Sequence, residues 1–292
     1  MSRSAPMRAA IWMLGSIVSF TAMAIAGRAL SSYHDTFEIM TYRSLFGLVI
    51  VISVARWAGT LGEIRRRRLG VHAIRNVCHF TGQNLWFFAI TAAPLAQVFA
   101  LEFTTPIWAT LLAPFFLGER LTRIRAFAAA LGFTGILIVA QPGAGVVIGP
   151  GLIAAALAAI CFAGTALATR FLTRSETITC ILFYLTAMQA VFGLITAGID
   201  GNIALPTATS LPWLVLVACA GLVAHFCMTK ALGLAPAGVV MPIDFARLPI
   251  IAMVGMLFYA EPLQWAVLIG AIIIFTANYI NIRSETRKPV IN

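Results

Sequence analysis

Acidic side chains are scarce in this chain: ten Asp and Glu stand among 292 residues, against twenty Lys and Arg. Charged residues of either sign make up only 10% of positions, while 61% are hydrophobic. That balance cannot clothe a water-soluble domain and points to an integral membrane protein. Catalytic signatures are missing too. There is no Gly-x4-Gly-Lys-Ser/Thr phosphate loop, no His-Glu-x2-His zinc pair and no Gly-x-Ser-x-Gly nucleophile turn. Neither an enzyme, nor a cofactor or metal, nor an ATPase subunit is therefore expected. A channel is disfavoured because no carbonyl-rich filter motif or ring of charges is present. The five cysteines, Cys78, Cys161, Cys180, Cys219 and Cys227, all lie in apolar runs and are odd in number, so no disulfide framework is implied.

What fills the chain is apolar sequence, with a mean hydropathy of +0.95. Ten runs have the length needed to cross the hydrocarbon: about 9–31, 38–57, 72–92, 95–116, 123–141, 150–170, 178–198, 211–232, 237–259 and 263–282. The first is too long for a cleaved signal peptide and reads as a retained helix. With the N-terminus in the cytoplasm, every basic residue except Arg28, Arg43 and Arg247 falls at or near the inner face, including Arg65–Arg68 and Arg75. Positive-inside bias then places both termini in the cytoplasm. The net charge of +10 reports this orientation and contact with anionic lipid, not a nucleic-acid partner. Trp12, Trp57, Trp213 and Trp265 fall at span ends, whereas Trp86 and Trp108 lie well inside spans.

The chain repeats itself. The stretch 92–121 resembles 234–263 at a constant offset of 142: Ala93-Pro94 matches Ala235-Pro236, Glu102-Phe103 matches Asp244-Phe245, and Glu119 matches Glu261. The same offset pairs Arg28 with Arg170. Two halves of five spans follow, 1–143 and 144–292. Five is odd, so the second half threads the membrane the opposite way, the usual frame of alternating-access transporters.

The Ala-Pro pairs that open spans four and nine, and the matching ends "FLGERLT" and "FYAEPLQ", resemble the drug/metabolite transporter superfamily. The chain is most similar to its EamA-type ten-helix branch and, within that, to YddG-type amino-acid exporters. The resemblance covers the whole chain. It implies an all-α bundle with a central cavity between the halves, spans five and ten being peripheral. It also implies export across the bacterial inner membrane without ATP.

Polar residues inside the spans mark candidate positions. Counting about 1.5 Å per residue from the nearer span end puts Arg43, Gln83, Trp86 and Glu102 in an outer layer. His225, Asp244 and Arg247 form an inner layer, with His79 near the middle. Glu102 and Asp244 are thus expected in opposite halves of the membrane, too far apart to share a proton. His79, Gln83 and Trp86 share one helix face, and Tyr42 adjoins Arg43. Asp244 and Arg247 can pair at i, i+3, as a structural ion pair or as part of the path. Glu102 has no base at i+3 or i+4, and Arg43 is its expected partner. His79 and His225 serve as satisfied core groups or as proton or substrate contacts. For an amino acid, Glu102 or Asp244 would meet the ammonium and Arg43 the carboxylate. Phe99, Phe103, Trp86 and Trp108 would hold an apolar or aromatic side chain. A nucleoside, a vitamin or a quaternary amine is the alternative cargo. Pro106, Pro242 and Pro249 mark spans four and nine as the bending elements. Glu119 and Glu261 read as structural helix ends.

Overall fold

The computed structural model describes residues 4–117, 121–141, 149–199, 201–234, 243–244 and 246–286. Among them all regular structure is helical. The first half holds α1 (Ser4–Leu30), α2 (Thr36–Trp57), α3 (Leu69–Ala92), α4 (Leu95–Glu102), α5 (Thr105–Leu117) and α6 (Arg123–Ala140). The second holds α7 (Pro150–Leu172), α8 (Ile178–Ala197), α9 (Leu211–Leu234), α10 (Arg247–Tyr259) and α11 (Trp265–Thr286).

Eight spans among the described residues are long and apolar enough to cross a membrane, α4 and α5 together making one of them. Two of the ten expected spans differ for separate reasons. The 24-residue α3 has the length but carries His72, Arg75, Asn76, His79, Gln83 and Asn84, all buried, so the polar groups face protein rather than lipid. α10 has 13 described residues. Pro242, like Glu119 and Pro236, lies outside the described residues. Elsewhere the lipid-facing surface is apolar: Phe115 is 84% exposed and Leu257 79%.

The main helix pairs join the two halves of the sequence. α1 packs on α9, α3 on α7, α2 on α8 and α6 on α11. Lipid tails are as apolar as leucine, so helices associate in a membrane through close fit, and small residues permit it. A Cβ on Gly193 of α8 would collide with Thr41 of α2. Gly135 of α6 and Gly270 of α11 face each other so closely that a Cβ on either would lie 2.8 Å from the other's carbonyl oxygen. Gly135, together with Gly132 against Ile107, therefore serves packing within the chain.

Span four is broken. α4 stops at Glu102, Phe103 and Thr104 form a turn, and α5 begins at Thr105. Pro106 has no N–H to continue the ladder, and local side chains take up the carbonyls released at the break. Thr105 Oγ1 donates to the Glu102 carbonyl at 2.6 Å and Thr104 Oγ1 to that of Leu101 at 2.6 Å. Asn278 of α11 donates to the Phe103 carbonyl at 2.6 Å. A turn at Ala246, whose N–H donates to the Ile243 carbonyl, precedes α10 in the matching place.

Candidate functional site

A cavity of about 450 Å³ lies between the halves. That is within the range of roughly 300–1,000 Å³ that holds drug-sized ligands. Phe20 and Met23 of α1 line it, with His79, Gln83 and Trp86 from the shared face of α3. The broken span contributes Glu102, Phe103, Thr105 and Pro106. Phe162, Thr165 and Thr169 enter from α7, Ile181 and Leu185 from α8, and His225 and Met228 from α9. Asp244 and Arg247 complete the wall.

An ionic knot forms one end. Arg247 Nη2 donates to Glu102 Oε1 at 3.0 Å and to Asp244 Oδ2 at 3.1 Å. Trp86 Nε1 donates to the second oxygen of Glu102 at 2.8 Å. The Arg247 guanidinium is ringed by Phe20, Phe99 and Phe103, whose centroids lie 4.7, 5.0 and 5.1 Å from its carbon. These rings lower the local polarity and strengthen the pairing. Two acidic side chains thus share one base.

A second buried arginine, Arg75, also lines the cavity and pairs with no carboxylate among the described residues. Its Nε donates to Thr169 Oγ1 at 2.6 Å and its Nη1 to Asn76 Oδ1 at 3.1 Å. Arg75 is 6% exposed and lines the cavity, so it is more than the topology signal the sequence suggested. Between the two charges sit the histidines. His79 Nδ1 accepts from Gln189 Nε2 at 2.9 Å, and the His79 and His225 rings are 5.9 Å apart.

Several expectations need correction. Glu102 pairs with Arg247, not Arg43. Arg43 lines a separate small recess with Ser44, Gln189 and Gly221, and its Nη1 reaches Met40 Sδ at 3.6 Å. Glu102 and Asp244 are not in separate layers, because one nitrogen reaches both. Counting depth along straight spans fails where a span breaks. Tyr42 turns away from the cavity and donates to the Ala204 carbonyl at 2.8 Å. Trp108 does not line the cavity either; its Nε1 donates to Thr104 Oγ1 and its ring packs on Phe133 of α6. Phe99 is fully buried beneath Arg247, off the cavity wall. Pro249 is the third residue of α10 and Pro106 the second of α5, positions whose N–H would have no intrahelical partner. Each lies in the first turn of a helix that follows a turn in the chain.

Sequence reasoning missed Arg75, Thr169, Gln189 and Asn278. Polar spacing on single helices finds residues that share a face, and these four act across helices. A further ionic contact closes the face at the start of α4. Arg28 pairs with Glu261, whose other oxygen accepts the Leu95 N–H at 2.8 Å. Arg28 also lies 4.4 Å over the Tyr259 ring.

The EamA-like transporter family matches residues 7–141 and again 149–283. The S-adenosylmethionine uptake transporter of Rickettsia bellii is 27% identical over 277 residues, covering 94% of each chain. The riboflavin transporter of Rhizobium johnstonii is 34% identical over 221 residues, covering 74% of this chain and 71% of the relative. The riboflavin transporter of Vibrio cholerae is 26% identical, covering 97% and 95%. A solved crystal structure superposes with a TM-score of 0.64 at 17% identity, covering 93% of this chain and 95% of that one.

Proposed function

Since this multi-pass membrane chain belongs to the EamA-like transporter family and is a small-molecule transporter rather than an enzyme, we propose that its cargo is a metabolite joining a ring system to a dipolar tail. S-adenosylmethionine represents the class. The observation that carries this reading is the charge layout of one cavity: Arg75 with no carboxylate partner among the described residues, and the Glu102–Arg247–Asp244 knot with two acids to one base. A carboxylate on the cargo would meet Arg75. An ammonium or sulfonium would meet the knot, with the ring among Phe20, Phe103 and Phe162. Relatives named for S-adenosylmethionine and riboflavin favour a nucleoside- or vitamin-type cargo over the apolar amino acid that the sequence suggested. Riboflavin is the second reading, favoured by the Rhizobium relative's identity and the aromatic wall.

Transport proceeds by alternating access between two inverted five-helix repeats, 1–143 and 144–292, that make ten spans. The two family matches begin at residues 7 and 149, the same offset of 142 that relates the sequence halves. The pairing supports this also: α1 on α9 and α3 on α7 are exchanged by that offset, while α2 on α8 and α6 on α11 map onto themselves. The chain sits in the inner membrane with cytoplasmic termini, and its cavity opens toward the arginine-rich face. Thr173 and Ile178, at the turn between α7 and α8, extend the lining to that side, while Arg28 and Glu261 hold the other.

Proteoliposome uptake of labelled S-adenosylmethionine, riboflavin and phenylalanine tests the cargo. Saturable uptake of the first, competed by S-adenosylhomocysteine and weakened by Arg75→Gln, is expected. Phenylalanine transported as fast as S-adenosylmethionine would return the amino-acid reading.

A further inference from the structure

His72, Glu176 and Cys180 stand apart from the transport machinery, each buried, with one ligand-type atom apiece lying within 4.8 Å of the others. They come from two places in the chain. His72 is in the first turn of α3, Glu176 immediately precedes the Thr177 cap of α8, and Cys180 is in that helix's first turn. The local backbone fixes them. The Glu176 N–H donates to the Leu172 carbonyl at 2.8 Å, and Thr177 Oγ1 accepts from the Cys180 N–H at 3.3 Å. The His72 ring lies against Tyr184, centroids 4.6 Å apart.

Both ring nitrogens of His72 and both carboxylate oxygens of Glu176 are buried with no N–H or O–H hydrogen-bond partner among the described residues. Orphaned groups of this kind each cost about 1–3 kcal/mol, and a buried carboxylate more. The neighbouring cation does not relieve them, since Arg75 is turned to Thr169 and Asn76. The Cys180 thiol reaches the Arg65 carbonyl at 3.6 Å and lies beside the Glu176 carboxylate.

The positions 142 residues earlier make the contrast sharp. Glu176 and Cys180 correspond to His34, in the turn between α1 and α2, and Glu38, in the first turn of α2. There the polar atoms are engaged. His34 bonds Glu38 Oε2 at 3.3 Å and Ser210 Oγ at 2.9 Å, while the Ala204 and Asp35 N–H groups donate to the Glu38 carboxylate. The same corner of the fold is hydrogen-bonded in one half and lacks partners in the other.

The geometry points to a divalent-cation site at His72, Glu176 and Cys180, of the zinc class, that clamps the α7–α8 turn onto the start of α3. An imidazole, a carboxylate and a thiolate are the donor set a borderline-soft ion prefers over calcium or magnesium, which want oxygen. Binding removes the thiol proton, which leaves to solvent as the Cys180 sulfur joins the metal; the imidazole binds neutral and the carboxylate ionised. One cation then satisfies an atom of each group. The site borders the cavity mouth, because Thr173, Ile178 and Ile181 of the clamped segment line it.

The test uses untagged, full-length protein in nanodiscs, stripped with EDTA and then given Zn²⁺ or Co²⁺ alone. The expected result is one tightly held equivalent of zinc by mass spectrometry and, with cobalt, a thiolate-to-metal charge-transfer band in the near ultraviolet. Cys180→Ser abolishes that band, and His72→Ala and Glu176→Gln each weaken binding by at least about tenfold. Cys78→Ser and Cys219→Ser leave it intact. Folding of each variant is checked by gel filtration, and wild-type protein alone suffices to overturn the proposal. No retained zinc and no charge-transfer band in monodisperse wild type would do so, as would a band that survives Cys180→Ser.

Discussion

A guanidinium only 3% exposed at the start of α10 needs its charge met, and Arg247 has Glu102 and Asp244 on one nitrogen. Breaking a buried ion pair by removing one partner typically costs about 3–5 kcal/mol, because the other charge stays buried. Arg247→Met strands two acids, so its thermal unfolding in detergent, followed by tryptophan fluorescence, should show a loss of that order. Glu102→Gln should cost less, since the Glu102 side chain is partly exposed to the cavity and Asp244 remains to pair Arg247. The Asp244–Arg247 pair was legible from its i, i+3 spacing. Its third member was not, because nothing along one helix reveals which residue of another reaches it. Arg43, chosen as the partner by depth, lines a separate recess against Gly221 of α9.

The break in span four makes a prediction about an element. Asn278 of α11 satisfies the Phe103 carbonyl, so Asn278→Leu should orphan it at a cost of about 1–3 kcal/mol. The same unfolding assay checks this. Pro249→Ala, by contrast, should leave both stability and transport near wild type, since the ring only occupies a first-turn position. A second prediction concerns the end of α10, where Ala260 adopts φ 53°. A non-glycine residue in the left-handed region costs about 1–2 kcal/mol. The matching position in the first half is Gly118. Ala260→Gly should therefore raise the unfolding midpoint, and a lowered midpoint would contradict that account. The elements themselves were largely legible, since apolar runs of spanning length are hard to hide. Less legible were the helix breaks, which depend on whether partners exist for the freed carbonyls.

At the scale of the molecule, the all-α membrane character followed from composition, and transport from the 142-residue repeat. The cavity's chemistry did not follow, because its charge layout depends on α3 meeting α7 and on the end of α4 meeting the start of α10. Arg75 was counted among the residues that orient the chain, yet it lines the cavity. The amino-acid reading came from the resemblance to YddG-type exporters, and the relatives named for S-adenosylmethionine and riboflavin are what favour a different cargo. The ends of the molecule also make a prediction. A cysteine introduced for Thr173, in a background lacking the native cysteines, should react with a membrane-impermeant maleimide from the arginine-rich side and be protected by bound cargo.

The central claim is that the cavity between the halves is the transport path, and counterflow in proteoliposomes tests it most directly. Vesicles loaded with unlabelled S-adenosylmethionine, and in parallel with riboflavin, are given the labelled compound outside, with wild-type, Glu102→Gln and Arg75→Gln protein. The account predicts transient accumulation of at least one of these cargoes by wild type and a marked fall in both variants, with each variant still monodisperse. Accumulation undiminished by either substitution, or none above protein-free vesicles for any cargo, would contradict it.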